Sequence, residues 1–578
     1  MPISSRSKLG NNSWVVSVLS VLVTTEILLF VGLAAGSLLP ATTAPISSSH
    51  FSQFSSGDNI FSAYCKRAPH KAACESMLSS VLTTTSTTTA PPQTLADLFD
   101  HSVKYSMGQA HSARALAYNL SLSYPGNLIG GGMNDCLELL EDSLDQLSNV
   151  VNRENTPSTS IDDDVRTWLS AALTNQAACL ESLENYRFKV GKGVMDAKAQ
   201  NLSHFISNSL NLYMSTKPKE AAKKSSTRSS TGGSRKMLSE DFPTWVSAAE
   251  RKLLEASIGE IEANAVVAKD GSGTHGSIGE ALELVASLAD GGRTVIHVKA
   301  GTYRENLNIP TKQHNVMLVG DGKGLTVIVG DKNSDDGWTT FRTATVAAMG
   351  DGFIARDITF VNTAGPAKHQ AVALRVGSDK SVIFRCSILG YQDTLYTLSK
   401  RQFYRETDIY GTVDFIFGNS VAVFQNCGIY VRKPASGQDN FITAQGRSSP
   451  DENTGISIHN CKIEAASDLA PVQSKFATYL GRPWKQYSRT VIMQSSLGGL
   501  IHQAGWSPWS GSFALKTLYY GEYMNSGPGA STSGRVKWPG YHSSLTSAEA
   551  QTFTVAGFIA GNLWLPSTGV SFDSGLLG

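Results

Sequence analysis

Gln370, Gln392, Asp393 and Asp414 are the residues of this 578-residue chain whose types and spacing together suit a chemical task. Gln370 precedes Gln392 by 22 positions, and Asp393 precedes Asp414 by 21. If the chain repeats with a period near twenty, each pair falls one repeat apart, and two amides and two carboxylates gather on one face. Two close carboxylates resist ionising together, so one keeps a proton and they titrate as a pair. The result is an ionised nucleophile beside a protonated acid at one pH. Glutamine amides can donate hydrogen bonds to a developing oxyanion. A single Asp between strands is ordinarily a turn or cap residue. Four polar residues in phase, set among the apolar side chains of Gly390-Tyr-Gln-Asp-Thr-Leu-Tyr and Gly411-Thr-Val-Asp-Phe-Ile-Phe-Gly, weaken that alternative.

The elements that must hold them are legible around them. After about residue 255 the chain runs in short β-rich stretches such as Val295-Ile-His-Val, Val316-Met-Leu-Val and Val421-Ala-Val-Phe, separated by Gly, Asn and Asp. A phrase recurs, ending at Ile358, Ile388, Ile409, Ile429 and Ile463, with inner spacings of 21 and 20 residues and outer ones of 30 and 34. A β-sandwich also spaces strands closely, but the repeated phrase favours a solenoid of stacked β coils. In such a stack, equivalent residues on neighbouring coils lie roughly 4.8 Å apart. Cys427 and Cys461 each stand two residues before a repeat isoleucine, which puts them in one phase and predicts a bridge between them, with Cys386 free.

Upstream the pattern changes. Between about 58 and 214 the apolar spacing is helical, as in Leu137, Leu140, Leu144 and Leu147 and in Val165, Trp168, Leu169, Ala172, Leu173 and Gln176. This predicts a helical bundle with an amino-terminal hairpin. Cys65 and Cys74 are placed to staple the hairpin, and Cys136 and Cys179 to tie two bundle helices. Residues 41–57 and 81–94 read as linkers rich in Ser, Thr and Pro. Residues 215–254 read as a basic linker that contains Arg235-Lys-Met-Leu and Arg251-Lys-Leu-Leu; these are either solvated charge runs or sites for a processing protease. Residues 1–40 hold Arg6 and Lys8 before an apolar run from 14 to 39. That pattern points to the secretory pathway, as a cleaved signal or as an anchor that carries Glu26 at its middle. Asn119 and Asn201 open sequons that such a route would make usable. The net charge of +1 gives no support to nucleic-acid binding.

Gly301-Thr-Tyr-Arg-Glu, Gln370-Ala-Val-Ala-Leu-Arg, Gly390-Tyr-Gln-Asp-Thr-Leu-Tyr, Asp414-Phe-Ile-Phe-Gly and Leu480-Gly-Arg-Pro-Trp stand in the order of the signature motifs of plant pectin methylesterases. Residues 255–578 resemble that family, and 58–214 resemble its inhibitor domain, cysteine pairs included. The resemblance implies a mainly β chain: a right-handed parallel β-helix preceded by an all-α four-helix-bundle pro-domain. It implies that Asp414 is the nucleophile on the methyl ester of a galacturonate unit, that Asp393 is the acid and then the base, and that Gln392, helped by Gln370, stabilises the tetrahedral anion. It further implies that Arg482 orients Asp414, that Trp484 offers a ring to a sugar, and that Thr340 touches the substrate. Methylated pectin would be the partner, with proteinaceous pectin methylesterase inhibitors as further ones, and the cell wall the destination.

No cofactor or metal is expected: His297, His314, His369, His459 and His502 show no ligand spacing, and there is no Gly-x-Ser-x-Gly elbow in the catalytic part. Two departures from the family pattern stand out. Gln503 replaces a frequent Pro, and Cys386 lacks a cysteine partner near Thr359. The rival readings are an inactive esterase-like binding or inhibitory module and a calcium-dependent pectate lyase. Methanol release separates the first from an esterase, and activity that survives a chelator excludes the second.

Overall fold

The computed structural model describes residues 57–85, 92–122, 131–155, 161–184, 189–217, 262–286 and 292–578. The apolar amino-terminal run, both expected processing sites and most of the basic linker lie outside the described residues. Among the described residues, no helix is long and apolar enough to cross a membrane.

Among the described residues six α-helices precede the β part: α1 (Gly57–Cys65), α2 (Lys71–Thr85), α3 (Leu95–Leu122), α4 (Gly131–Val151), α5 (Ile161–Ser182) and α6 (Lys189–Thr216), of which α2 runs to Thr85 and so takes up the start of the stretch 81–94 expected as a linker. The last four pack on one another as a bundle, and α2 leans on α3 and α6. Bridges Cys65–Cys74 and Cys136–Cys179 are both formed; the second joins α4 to α5 with Cα atoms 4.6 Å apart. The apolar stripe of α4 is as expected at Leu140 and Leu147, which are fully buried, while Leu137 and Leu144 are only partly covered. Every residue of the expected α5 stripe is buried, and so are Asp164, Thr167, Ser170 and Thr174 between them. A helix covered all round has neighbours on both sides, and here the second neighbour is the β part. Asn119 and Asn201 are exposed on α3 and α6.

From Ala265 onward short strands wind into a parallel β-helix. Among the described residues they form sheets of 11, 7 and 8 strands, each ordered by sequence along the stack and paired in parallel throughout. Inside runs a column of apolar side chains in which Phe360, Ile388, Ile409, Ile429 and Ile463 pair in register. The first repeat phrase is therefore offset from its expected place: Phe360, not Ile358, occupies the isoleucine level. What unites the phrases is a corner residue with a left-handed backbone, at Asp357, Arg385, Glu406, Asn426, Asn460 and Gln494. Such a residue turns the chain sharply from one sheet to the next, at a steric cost that short polar side chains best tolerate.

The position after that corner explains a correction. Ile358, Cys386, Thr407, Cys427, Cys461 and Ser495 occupy it on successive coils, by the register of the strands that follow. Cys427 and Cys461 are indeed neighbours in phase, but the expected bridge is not formed and both thiols are free, as is Cys386. Each sulfur is used as a hydroxyl would be. Thr407 Oγ1 donates to the carbonyls of Arg405 and Ile383, Cys461 Sγ to those of His459 and Phe424, and Ser495 Oγ to those of Met493 and Ile458. Cys461 Sγ also accepts from the Cys427 N–H at 3.3 Å, as Ser495 Oγ accepts from the Cys461 N–H at 3.0 Å. Burial pushes the Cys461 thiol up, and the Cys386 thiol up to about 12, so the thiolate that disulfide formation requires is suppressed.

Candidate active site

Leu395 pairs with Ile416 on the next coil, so Asp393 and Asp414, each two residues earlier, hold equivalent places on adjacent coils. Both have left-handed backbones, φ 60° and 50°, a conformation that Asp tolerates better than most residues. Gln392 lies next to Asp393. Gln370 is one position out of the expected phase, since Leu374 pairs with Leu395 and sets Gln370 level with Tyr391. The side chains converge even so. A cavity of 1190 Å³ is lined by Thr340, Gln370, Gln392, Asp393, Asp414, Arg482 and Trp484, every catalytic or substrate-contacting residue expected from the sequence.

The two carboxyls are not equivalent. Arg482 grips Asp414 with two hydrogen bonds, Nε to Oδ1 at 2.8 Å and a terminal nitrogen to Oδ2 at 2.6 Å. The guanidinium is itself held between the rings of Phe441 and Trp509, at 4.0 and 4.5 Å from their centroids. Burial raises the Asp414 carboxyl, and the Arg482 hydrogen bonds and charge pull it back. Among the described residues, none holds Asp393 in this way. Burial raises it well above the ordinary carboxylate range, the charge of Asp414 raises it further, and Arg482 only partly opposes this. Both carboxyls are raised by burial, Asp393 the more strongly, so the pair is split into one carboxyl that favours the proton and one, beside Arg482, that gives it up more readily. Ser334 Oγ donates to Gln370 Oε1 at 2.7 Å, so that amide can donate only through its Nε2 end.

Several lining residues escaped the sequence reading. Tyr396 and Phe417 stack with centroids 4.3 Å apart, and Phe417 meets the edge of Trp484 at 5.9 Å. These three rings make an aromatic wall. The signal for the first two was present, since they stand 21 residues apart inside the very phrases that carry the aspartates. Trp338, Lys485 and Trp509 also line the cavity. Of the histidines, His297 pairs with Asp321, His369 with Asp335, His459 bonds Gln494 and His502 packs at a tilt against Tyr479; none of the five, His314 included, lines the cavity.

The other wall comes from the helices. Gly132, Ala178, Glu181, Ser182 and Glu184 line the same cavity as the acid pair. Helix α4 carries Asp135, Glu138, Asp142 and Asp145 at spacings that place them on one face. Asp135 and Glu138 bind Arg342, at 2.5 and 2.8 Å; Glu138 also reaches Arg375, Asp142 binds Lys400 at 2.8 Å, and Asp145 binds Lys312. On α5, Asp164 meets Arg401 at 2.6 Å, Thr174 accepts from Asn419, and Glu181 meets Lys485 at 2.7 Å. Between these polar contacts one apolar cluster runs from the bundle into Phe341, Ala347, Val372, Tyr396, Phe417 and Ala444 of the β part.

Comparison with known proteins agrees with this geometry. Residues 264–562 match the family model described as Pectinesterase, and residues 59–212 match the one described as Plant invertase/pectin methylesterase inhibitor. The chain is similar to probable pectinesterase/pectinesterase inhibitor 35 of Arabidopsis thaliana, at 62% identity over 484 residues, covering 83% of this chain and 88% of the relative. It is similar to pectinesterase 2 of Citrus sinensis at 48% identity over 514 residues, covering 89% and 94%. Among solved structures, pectin methylesterase from carrot superposes with a TM-score of 0.53 at 58% identity, covering 55% of this chain and 99% of that one.

Proposed function

The chain belongs to the pectinesterase family, and from that premise we propose how its cavity divides the hydrolysis of galacturonate methyl esters in pectin among named residues. The observation that carries the proposal is the asymmetry of the acid pair: two in-register aspartates, of which Arg482 holds only Asp414. Asp414 attacks the ester carbonyl carbon through a carboxylate oxygen. Gln392 and Gln370 donate to the tetrahedral oxyanion, and donors placed in advance lose nothing to reorganisation. Asp393 gives its proton to the departing methoxide, which leaves as methanol, and Asp414 remains joined to the galacturonate as an anhydride. Asp393, now ionised, takes a proton from water, the hydroxide attacks the acyl carbon, and the acid product and the Asp414 carboxylate are released. Trp484, with Tyr396 and Phe417, gives the sugar rings a face to stack on, and Thr340 is a further contact at the cavity lining.

The helical bundle acts as a pro-region that restrains the enzyme. It lays α4 and α5 along the cavity, where Gly132, Ala178, Glu181 and Ser182 stand among the lining residues. Cleavage near Arg235 or Arg251 would release it during passage through the secretory pathway to the cell wall. The test is direct. The full chain is folded intact, cut within residues 218–261, and methanol release from methylated pectin is measured before and after. A rise on cutting, absent in Asp414→Ala, is the expected result. Equal activity before and after defeats the restraint, and turnover in the folded Asp414→Ala chain defeats the mechanism.

A further inference from the structure

Gln370 lies outside the strands; the next one begins only at Leu374. The segment packed on it, residues 331–337, is fixed from within. Asn333 is 2% exposed; its Nδ2 donates to the Asp331 carbonyl at 3.1 Å and to Asp336 Oδ2 at 2.7 Å, and its Oδ1 accepts from the Asp336 N–H at 3.0 Å. Asn362, at the end of a strand, ties this segment to the β-helix by donating to the Lys332 carbonyl at 2.9 Å. Gly337 closes the turn with its N–H on the Ser334 carbonyl and a φ of 90°, which suits glycine. Three successive residues then meet three others in antiparallel order: Asp336 with Lys368 at 2.8 Å, Asp335 with His369 at 2.7 Å, and Ser334 with Gln370. Ser334 bonds Gln370 twice. Its N–H donates to the Gln370 carbonyl at 3.0 Å and fixes the backbone, while its Oγ donates to Oε1 at 2.7 Å and acts on the amide alone.

A glutamine amide has a donor end and an acceptor end, and its last torsion is soft, so an unheld amide exchanges the two readily. The exchange matters at an oxyanion: Nε2 stabilises the negative charge and Oε1 repels it. The Ser334 hydroxyl engages Oε1, which leaves the Nε2 hydrogens for the cavity that both residues line. A hydrogen bond accepted at Oε1 also polarises the amide and makes Nε2–H the better donor. We infer that Ser334 is a positioning residue for ester hydrolysis, its hydroxyl holding the Gln370 amide with the donor end toward the oxyanion. The inference rests on the esterase reading above, which gives Gln370 its task. Ser334 and its supporting segment thereby set the orientation before substrate arrives, so the reacting carbonyl meets a donor already in place. Because the full negative charge exists only as the tetrahedral anion forms, the benefit falls on kcat and leaves KM alone.

The experiment uses the full chain folded intact, then cut within residues 218–261, with methanol release from methylated pectin as the readout. The parent is compared with Ser334→Ala, Ser334→Thr, Gln370→Ala and the double variant of Ser334→Ala with Gln370→Ala. Ser334→Ala keeps the backbone bond to Gln370 and the two ion pairs beside it, so only the hydroxyl is lost. It is expected to lower kcat by about fivefold, the size of one neutral hydrogen bond, with KM changed by less than about twofold. Ser334→Thr, which retains a hydroxyl, is expected to keep the parental kcat. Gln370→Ala is expected to lower kcat by about 10²-fold, and adding Ser334→Ala to it should change nothing further, because a group that acts through another has no effect once that other is gone. A Ser334→Ala chain with parental kcat overturns the inference. So does the same fall repeated on the Gln370→Ala background, which would show that the hydroxyl acts elsewhere, and so does a rise in KM with kcat intact, which would make Ser334 an ordinary substrate contact. Parental kcat in Gln370→Ala removes the donor and the inference with it, while the esterase reading stands on the parent's turnover. A cut parent that releases no methanol defeats that reading itself, and the inference falls with its premise.

Discussion

At the scale of single residues, Asp393 and Asp414 differ only in their neighbours, and each difference has a measurable consequence. Asp393→Asn removes the proton donor and is expected to lower kcat for methanol release by about 10²- to 10⁴-fold. Because burial raises the Asp393 carboxyl well above its ordinary range, its ionised form disfavours the folded state at neutral pH. The neutral isostere should therefore leave Tm unchanged or raise it; a large fall in Tm would mean that the side chain has a structural task. Arg482→Gln takes the cation away from Asp414. Its hydrogen bonds and charge now lower that carboxyl against the effect of burial, so without them the Asp414 pKa rises. The acid limb of the kcat–pH profile is expected to move to higher pH, with kcat reduced by about 10²-fold. An unmoved acid limb would show that Asp414 is not the group that must be ionised.

At the scale of the elements, the corner ladder of the β-helix makes a prediction about thiols. Cys427 and Cys461 perform the same hydrogen bonding as Thr407 and Ser495 on neighbouring coils. Cys461→Ser should then fold normally, with Tm close to the parent's. Cys461→Ala, which leaves the buried Cys427 N–H without its acceptor, should cost about 1–3 kcal/mol. Alkylation after unfolding without reductant should label Cys386, Cys427 and Cys461 and none of the other four cysteines. A labelled fraction limited to Cys386 would restore the bridge that the spacing suggested. Helix α4 makes a second prediction. Asp142 and Lys400 are both fully buried, whereas Lys312, the partner of Asp145, is largely exposed. Asp145→Ala should shift stability by no more than about 1 kcal/mol. Asp142→Ala should cost up to about 3 kcal/mol, limited because Asp351 still faces Lys400 at 3.1 Å, and should allow methanol release from the uncut chain. Equal effects of the two variants, with bundle helicity intact by circular dichroism, would contradict the ranking.

At the scale of the whole molecule, the contact between the bundle and the β-helix depends on pH with a definite sign. Burial raises the Asp135 carboxyl against the pull of Arg342, and burial raises Glu181 against Lys485. A carboxyl raised in the docked state binds its proton more tightly there than when apart. Its contribution to docking is therefore full below the ordinary carboxylate range and is lost as pH rises through the docked value. After cleavage within residues 218–261, the two parts should elute together by size exclusion at pH 4.5 and separate more readily at pH 7.5. Tighter association at the higher pH would reverse the sign and remove these carboxyls as its cause.

Much of this was determined by the sequence alone, because it depended on periodicity. A repeat near twenty residues specifies a coil, and any two side chains one period apart become neighbours wherever the coil lies in space. Asp393 and Asp414 were legible for that reason, and Arg482 and Trp484 because they share one short phrase. The pair Cys65–Cys74 was suggested by nearness along the chain, and Cys136–Cys179 was one possibility that the family resemblance implied. What lay between distant segments was not legible. Nothing in the spacing of Asp135, Glu138, Asp142 and Asp145 marks them as an interface, since charge spacing is the same whether water or a row of arginines and lysines faces it. Phase likewise brought Cys427 beside Cys461, but spacing did not decide their bonding: in the folded chain both sulfurs are buried, hold corner hydrogen bonds and remain unbridged. Only the tertiary structure placed Glu181 against Lys485, across more than three hundred residues of chain, because packing between two folded parts follows from the shapes and charges of their surfaces and leaves no period in the sequence.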